Sequence, residues 1–163
     1  MSSARKVLIV GGLLLAAFGM LYGLHYAVFV EHQTLDRMGA SLAQAFASAS
    51  QRDTVAAHGA IDAYAATKYN YVRQVDVHSH WIGLGMLLIV LGAAFDGVAL
   101  SARLKTWLAI SLVTGSFVFP TGVILQTVSH GAVYASTLAI VGSAIVMAAL
   151  IAVAWGFSRV EQS

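Results

Sequence analysis

Four long apolar stretches alternate with polar segments along this chain, at residues 7–30, 80–100, 106–126 and 133–157. Each stretch holds about 20 or more mostly apolar residues, the length of helix that crosses a hydrocarbon layer about 30 Å thick. The pattern predicts an all-α fold with a single integral membrane domain over residues 1–163, in which four spans form a helix bundle.

The polar segment between the first two stretches, residues 33–77, does not have the pattern of a loop. Apolar residues recur at helical spacing from Leu35 to Phe46, and a second such pattern fills the end of the segment. Asp53 stands between the two patterns as a candidate N-cap. The segment therefore predicts an extended helical hairpin that reaches about 25–30 Å from the outer side of the membrane.

Basic residues predict the orientation of the spans, because short cytoplasmic flanks carry an excess of Lys and Arg. The residues that closely flank one set of span ends are Arg5, Lys6, Arg103, Lys105 and Arg159. Both termini are therefore expected in the cytoplasm. The protein is expected to cross the inner membrane several times, with the lipid bilayer as one of its partners.

Composition agrees with a membrane protein and removes several kinds of chemistry. The chain is 59% hydrophobic and 10% charged, against about 25% charged residues in soluble domains. It has no cysteine, which excludes disulfides, thiolate ligands and iron–sulfur clusters. A net charge of +2 gives no reason to expect a nucleic-acid partner. Histidine, carboxylate, methionine and tyrosine side chains remain as candidate metal ligands.

All six histidines fall near the predicted outer face, at span ends or in the segments that join them. Imidazole titrates near neutral pH and is the commonest metal ligand in proteins, so this asymmetry predicts a metal or haem site there. The histidines are His25, His32, His58, His78, His80 and His130.

His25 and His80 are the strongest candidates, because they lie within the first two spans at similar expected depth. An ionisable side chain at that depth is costly and is usually functional. Two imidazoles on adjacent antiparallel helices suit the two axial positions of a b-type haem. Gly23 and Gly83 would let the macrocycle approach the backbone, and Arg73 would meet its propionates. The first substitutes as ligands are His78 and His130.

One alternative to the haem site stays open at this point. A non-haem metal, copper, zinc or iron, would use three histidines and leave an open position for catalysis or sensing. Asp76, one turn before His80, could accept the second N–H of that imidazole. His78 and His80 are two residues apart and cannot both face one site in a helix. The candidate metal ligands are His25, His80 and His130 with Asp76 or Glu31.

Residues 71–85, with the order Tyr-Val-Arg-Gln-Val-Asp-Val-His-Ser-His-Trp-Ile-Gly-Leu-Gly, resemble one segment of the haem–copper oxidases. The segment is the start of the second membrane helix in the catalytic subunit, in particular in the cbb3 and nitric oxide reductase branches. The resemblance implies that His78 or His80 is an axial ligand of a low-spin b haem. It covers 15 of 163 residues, and this chain has fewer spans than that family and no match to its other histidines.

Three functions remain as expectations. The first is a membrane cytochrome of b type that exchanges electrons with quinol or a periplasmic carrier, an oxidoreductase if it is an enzyme. The second is the non-haem metal protein. The third is an accessory subunit of a larger complex or homo-oligomer, with the hairpin docking a partner.

Overall fold

The computed structural model describes residues 1–129 and 132–159, and within them the chain is helical with no strand. Four of its helical stretches are long and apolar enough to cross a membrane. The prediction of an all-α chain with four such helices is therefore confirmed. The helices are α1 (Ser3–Tyr26), α2 (His32–Ser50), α3 (Thr54–Ala94), α4 (Ala102–Val128) and α5 (Val133–Ser158), with a π-helical turn at Ala27–Glu31 and a 3-10 turn at Phe95–Gly97.

Side-chain caps explain where three of the helices begin. The Asp53 carboxylate accepts a hydrogen bond of 3.0 Å from the backbone N–H of Ala56, as its place between the two apolar patterns predicts. The hydroxyls of Ser2 and Ser101 cap α1 and α4 in the same way. Each oxygen satisfies a backbone donor that has no partner within the helix.

α1 and α3 pack antiparallel through glycines, which let the two backbones approach closely. A Cβ atom added to Gly85 would lie 2.7 Å from both the backbone nitrogen of Ala16 and the carbonyl oxygen of Gly12. One added to Gly19 would lie 2.9 Å from Cβ of Trp81. Small residues at helix contacts are the usual means of close packing between apolar helices.

α4 and α5 form a second closely packed pair. A Cβ atom added to Gly122 would lie 2.3 Å from the backbone nitrogen of Ala139, and one on Gly142 would lie 2.5 Å from that of Phe119. α4 also contacts α1 and α3, whereas α5 packs mainly against α4. Pro120 lies buried within α4 without ending the helix. The bundle is thus two pairs joined through α4.

One end of the bundle is held by polar contacts among its connections. The Arg5 guanidinium lies 3.3 Å from the Asp96 carboxylate, and the Lys105 ammonium donates to the Asp96 carbonyl at 2.9 Å. The backbone N–H of Ala99 donates to the carbonyl of Gly156 at 3.1 Å, which ties α5 to the α3–α4 connection.

At the opposite end, α3 is much longer than α4. The Gln74 side chain donates to the hydroxyl of Thr127, one residue before α4 ends, at 3.2 Å. α2 packs on α3, and it begins directly after Glu31, whose carboxylate accepts a hydrogen bond from Tyr71 of α3. Residues 54–73 of α3, together with α2, therefore lie beyond the end of α4.

Candidate functional site

His80 is half-buried on α3, and its surroundings determine how its ring is held. Its Nδ1 lies 2.6 Å from the backbone oxygen of Asp76. A carbonyl only accepts, so in the neutral ring this contact assigns the proton to Nδ1 and leaves the lone pair on Nε2. The ring also meets Phe119 of α4 edge-on, with the centroids 4.9 Å apart. Asp76 thus orients the imidazole through its carbonyl and not through its carboxylate.

The contact to the preceding turn does not by itself distinguish His80. His58 makes the same contact to the carbonyl of Thr54 at 2.7 Å, although it is exposed. What His80 has in addition is space: a surface hollow of about 280 Å³ is lined by Ser79, His80, Gly83 and Leu84. A Cβ atom added to Gly83 would meet nothing within 4 Å. A ligand can therefore approach the helix backbone beside this imidazole.

His25 is placed differently. It is exposed on α1, and its ring packs on Phe29 of the same helix with the centroids 5.3 Å apart. Between it and α3 the interface is filled, since a Cβ atom added to Gly23 would lie 3.0 Å from the ring of His78. In the described part of the chain His25 and His80 contact different neighbours. Haem ligation by this pair stays a prediction.

His78 and His80 face different helices, as their separation of two residues predicts. His78 is half-buried against Gly23 of α1, whereas His80 touches Phe119 of α4. His32, in turn, is exposed and lies 3.5 Å from the carboxylate of its helical neighbour Asp36.

Among the residues that the structure describes, the remaining predicted site residues form no metal-binding group. Arg73 is half-buried on α3, and its guanidinium lies 5.0 Å from the ring centroid of Tyr69. His130 lies outside the described residues. Within residues 1–129 and 132–159, no three histidine or carboxylate side chains come together in a way that could hold a metal ion.

A polar network at the same end of the bundle was not predicted. The Tyr22 hydroxyl donates to the side-chain oxygen of Gln74, whose amide nitrogen in turn donates to Thr127. These contacts join α1, α3 and α4. One or two turns farther along, the Tyr71 hydroxyl donates to the Glu31 carboxylate at 3.1 Å. Each residue was visible as a polar position near an apolar face, but pairing them requires the register between the helices.

The π-helical turn at Ala27–Glu31 lies at this level. Such a turn adds one residue to the helix and changes which side chains share a face. Glu31 consequently faces Tyr71 of α3. π turns are rare and are often found at functional positions, so this turn marks the same end of the bundle as the histidines.

Comparisons with known proteins add no assignment: no family model matches the chain, and neither a curated protein nor a solved structure matches it.

Proposed function

We propose that the chain crosses the inner membrane four times, with both termini in the cytoplasm, and that α2 and residues 54–73 of α3 form a helical hairpin on the outer side. Basic side chains lie near the Asp96 end of the bundle and large apolar side chains, such as Leu14 and Ile151, are exposed along the helices between the two ends. An apolar belt of this kind suits lipid, and the basic end suits the cytoplasmic side.

Within this topology we propose a membrane electron-transfer protein that holds a b-type haem through His80. The observation that supports it is the combination at His80 of an imidazole oriented through Nδ1, with Nε2 free to accept, and open space beside Gly83. When bound through an imidazole, haem supplies one-electron chemistry, with quinol or a carrier at the outer face as the exchange partner.

The protein's own residues would orient and tune such a group. The carbonyl of Asp76 would hold the His80 tautomer and raise the basicity of Nε2 as a ligand atom. Phe119 packs against the ring and limits its rotation. The Arg73 guanidinium, about two turns from His80 at the last residue of the hairpin, has no carboxylate within 4 Å among the described residues and would offer a positive charge to propionates.

The test is the visible spectrum of the purified protein in its oxidised and reduced states. His80→Ala should abolish a haem spectrum. His58→Ala should leave it unchanged, which makes it a matched control because His58 has the same contact to its own helix but is exposed. A colourless protein with stoichiometric copper, zinc or iron would replace this function with the non-haem alternative.

A second candidate function is that of an accessory subunit, and the surface of α2 favours it. Leu35, Leu42 and Phe46 recur on one side of this helix, and Phe46 is 76% exposed. In the proposed topology these side chains face water, where an apolar stripe usually marks a binding surface. Two results together would support this function. The purified protein would be colourless and metal-free, and Phe46→Asp would release it from a larger membrane assembly.

A further inference from the structure

A groove of about 530 Å³ lies between α1 and α4, near the middle of both helices. It is separate from the hollow beside His80, which is lined by residues of α3 alone. In the proposed topology the groove opens to the hydrocarbon of the membrane. Its lining is apolar except for one hydroxyl and consists of Gly11, Leu14, Leu15, Phe18, Val113, Thr114 and Phe117.

The two ends of the groove are closed by different contacts. At one end α1 and α4 touch, since a Cβ atom added to Gly11 would lie 2.6 Å from the Val113 side chain. At the other end the rings of Phe18 and Phe117 lie 6.0 Å apart between centroids. The buried ring of Trp81 packs against both, at 4.7 and 6.3 Å. The groove therefore combines an apolar floor with a wall of three aromatic rings.

The hydroxyl in the groove belongs to Thr114, and it is exceptional among the threonines of α4 and α5. The four others donate to a backbone carbonyl three or four residues earlier in their own helix, at 2.7 to 3.0 Å. Thr114 is exposed and makes no hydrogen bond to any described residue. A hydroxyl without a partner is costly in hydrocarbon, where no water replaces the missing bond.

This free donor restricts what can occupy the groove. A lipid acyl chain has no acceptor at the middle of a span, because its ester and phosphate groups lie at the membrane surface. A membrane quinone has a flat apolar ring to pack on the aromatic wall, carbonyl oxygens that accept hydrogen bonds, and an apolar tail. We propose that the groove binds the ring of a quinone and that the Thr114 hydroxyl donates to one of its carbonyl oxygens.

The groove also lies close to the candidate redox site. Trp81, whose ring backs the aromatic wall, directly follows His80 in α3. A quinone in the groove would therefore be separated from the His80 side of α3 by this one buried ring. Its role as the electron-exchange partner rests on the proposed function, whereas its binding requires only the residues of the groove and no haem.

The fluorescence of Trp81 reports binding directly, because the ring adjoins the groove and quinones quench tryptophan emission on close approach. Trp107→Phe and Trp155→Phe leave Trp81 as the one tryptophan, and both replaced residues are exposed. In this background, decylubiquinone added to the detergent-solubilised full chain should quench the emission at saturable concentrations. Absence of saturable quenching would overturn the quinone site.

Substitutions at Thr114 test the hydrogen bond. Thr114→Val exchanges the hydroxyl for a methyl group and should weaken decylubiquinone binding about two- to tenfold, as expected for one neutral hydrogen bond. Thr114→Ser should restore most of the affinity, and Thr114→Phe should abolish binding by filling the groove. Thr137→Val is the matched control, because Thr137 is exposed on α5 and its hydroxyl is already bonded. Equal affinities for Thr114→Val and Thr137→Val would overturn the role of Thr114.

Competition with decylbenzene separates a quinone from a lipid chain, since this compound has the same tail and a ring without carbonyl oxygens. It should displace decylubiquinone only at roughly tenfold or higher excess. Displacement at equal concentrations would overturn the quinone site and leave an acyl chain as the occupant of the groove.

The haem spectrum separates this site from the proposed function. Binding that depends on Thr114 in a protein without a haem spectrum supports the quinone site and overturns electron transfer through His80. A spectrum that disappears with His80→Ala, in a protein that does not bind decylubiquinone, overturns the quinone site alone. Quinone binding that survives His80→Ala while the spectrum is lost supports both.

Discussion

Gly83 and Gly85 stand two residues apart on α3 and have opposite surroundings. Gly85 is buried where the backbones of α1 and α3 meet, whereas Gly83 is exposed beside a hollow. A glycine in an apolar helix therefore does not reveal whether it packs a neighbouring helix or leaves space for something else. The face of α3 at Gly85 packs against α1 and stabilises the fold, whereas the face at Gly83 leaves space for a ligand.

The largest expected effect is at Gly85, on the face of α3 that packs against α1. Gly85→Leu would force a side chain into space where backbone atoms of Gly12 and Ala16 lie 2.7 Å from the new Cβ. Because neither backbone can move alone, we expect a cost above about 4 kcal/mol and loss of most folded protein. Gly83→Leu is the matched control. We expect it to leave the thermal stability of the detergent-solubilised protein unchanged. Equal losses of folded protein for the two variants would mean that the two faces of α3 do not differ in how tightly they pack.

Trp81 should have the next largest effect. It is 3% exposed and forms edge contacts with Phe18 and Tyr22, with centroids 4.7 and 5.5 Å apart. Trp81→Ala should cost about 3–5 kcal/mol, the range for large aromatic residues in cores. Trp107, which is 60% exposed on α4, provides the control, since Trp107→Ala removes no core contact. Unfolding followed by denaturant titration in detergent measures both.

These positions show which parts of the fold could be predicted from sequence. The four long apolar helices follow from hydropathy, and the cap at Asp53 follows from its place between two helical patterns. The buried role of Trp81 does not follow, because an aromatic residue near a span end also suits the membrane interface. The two roles, core and membrane interface, are distinguished only by the register between α1 and α3, which is visible in the contact of Gly19 with Trp81.

The candidate site was less predictable for a related reason. Depth along a span says how costly a histidine is, but not toward which neighbour it points. His25 and His80 have similar expected depth, yet one is exposed beside Phe29 and the other packs on α4. Glu31 faces Tyr71 through a π-helical turn, a local change of register that no spacing rule anticipates.

A smaller effect is expected at Gln74 of α3, which joins α1, α3 and α4 through its hydrogen bonds. Gln74→Leu removes its bonds to Tyr22 and Thr127 and should cost about 0.6–2 kcal/mol, because hydrogen bonds between membrane helices contribute modestly. Gln44→Leu, at an exposed position of α2, should change stability less. A loss at Gln74 as large as that of Trp81→Ala would show that the network, and not aromatic packing, holds this end together.

The smallest effect on stability is expected at His25, and this substitution gives the sharpest comparison with His80. The exposed His25 ring touches Phe29 of its own helix, so His25→Ala should change the unfolding free energy by no more than about 0.5 kcal/mol. Its effect on the spectrum decides between two sites. If His80 holds the haem without His25, His25→Ala leaves the haem spectrum intact while His80→Ala removes it. If both substitutions remove the spectrum without unfolding the protein, the ligand pair predicted from the sequence is restored, and α1 and α3 must separate to admit the haem.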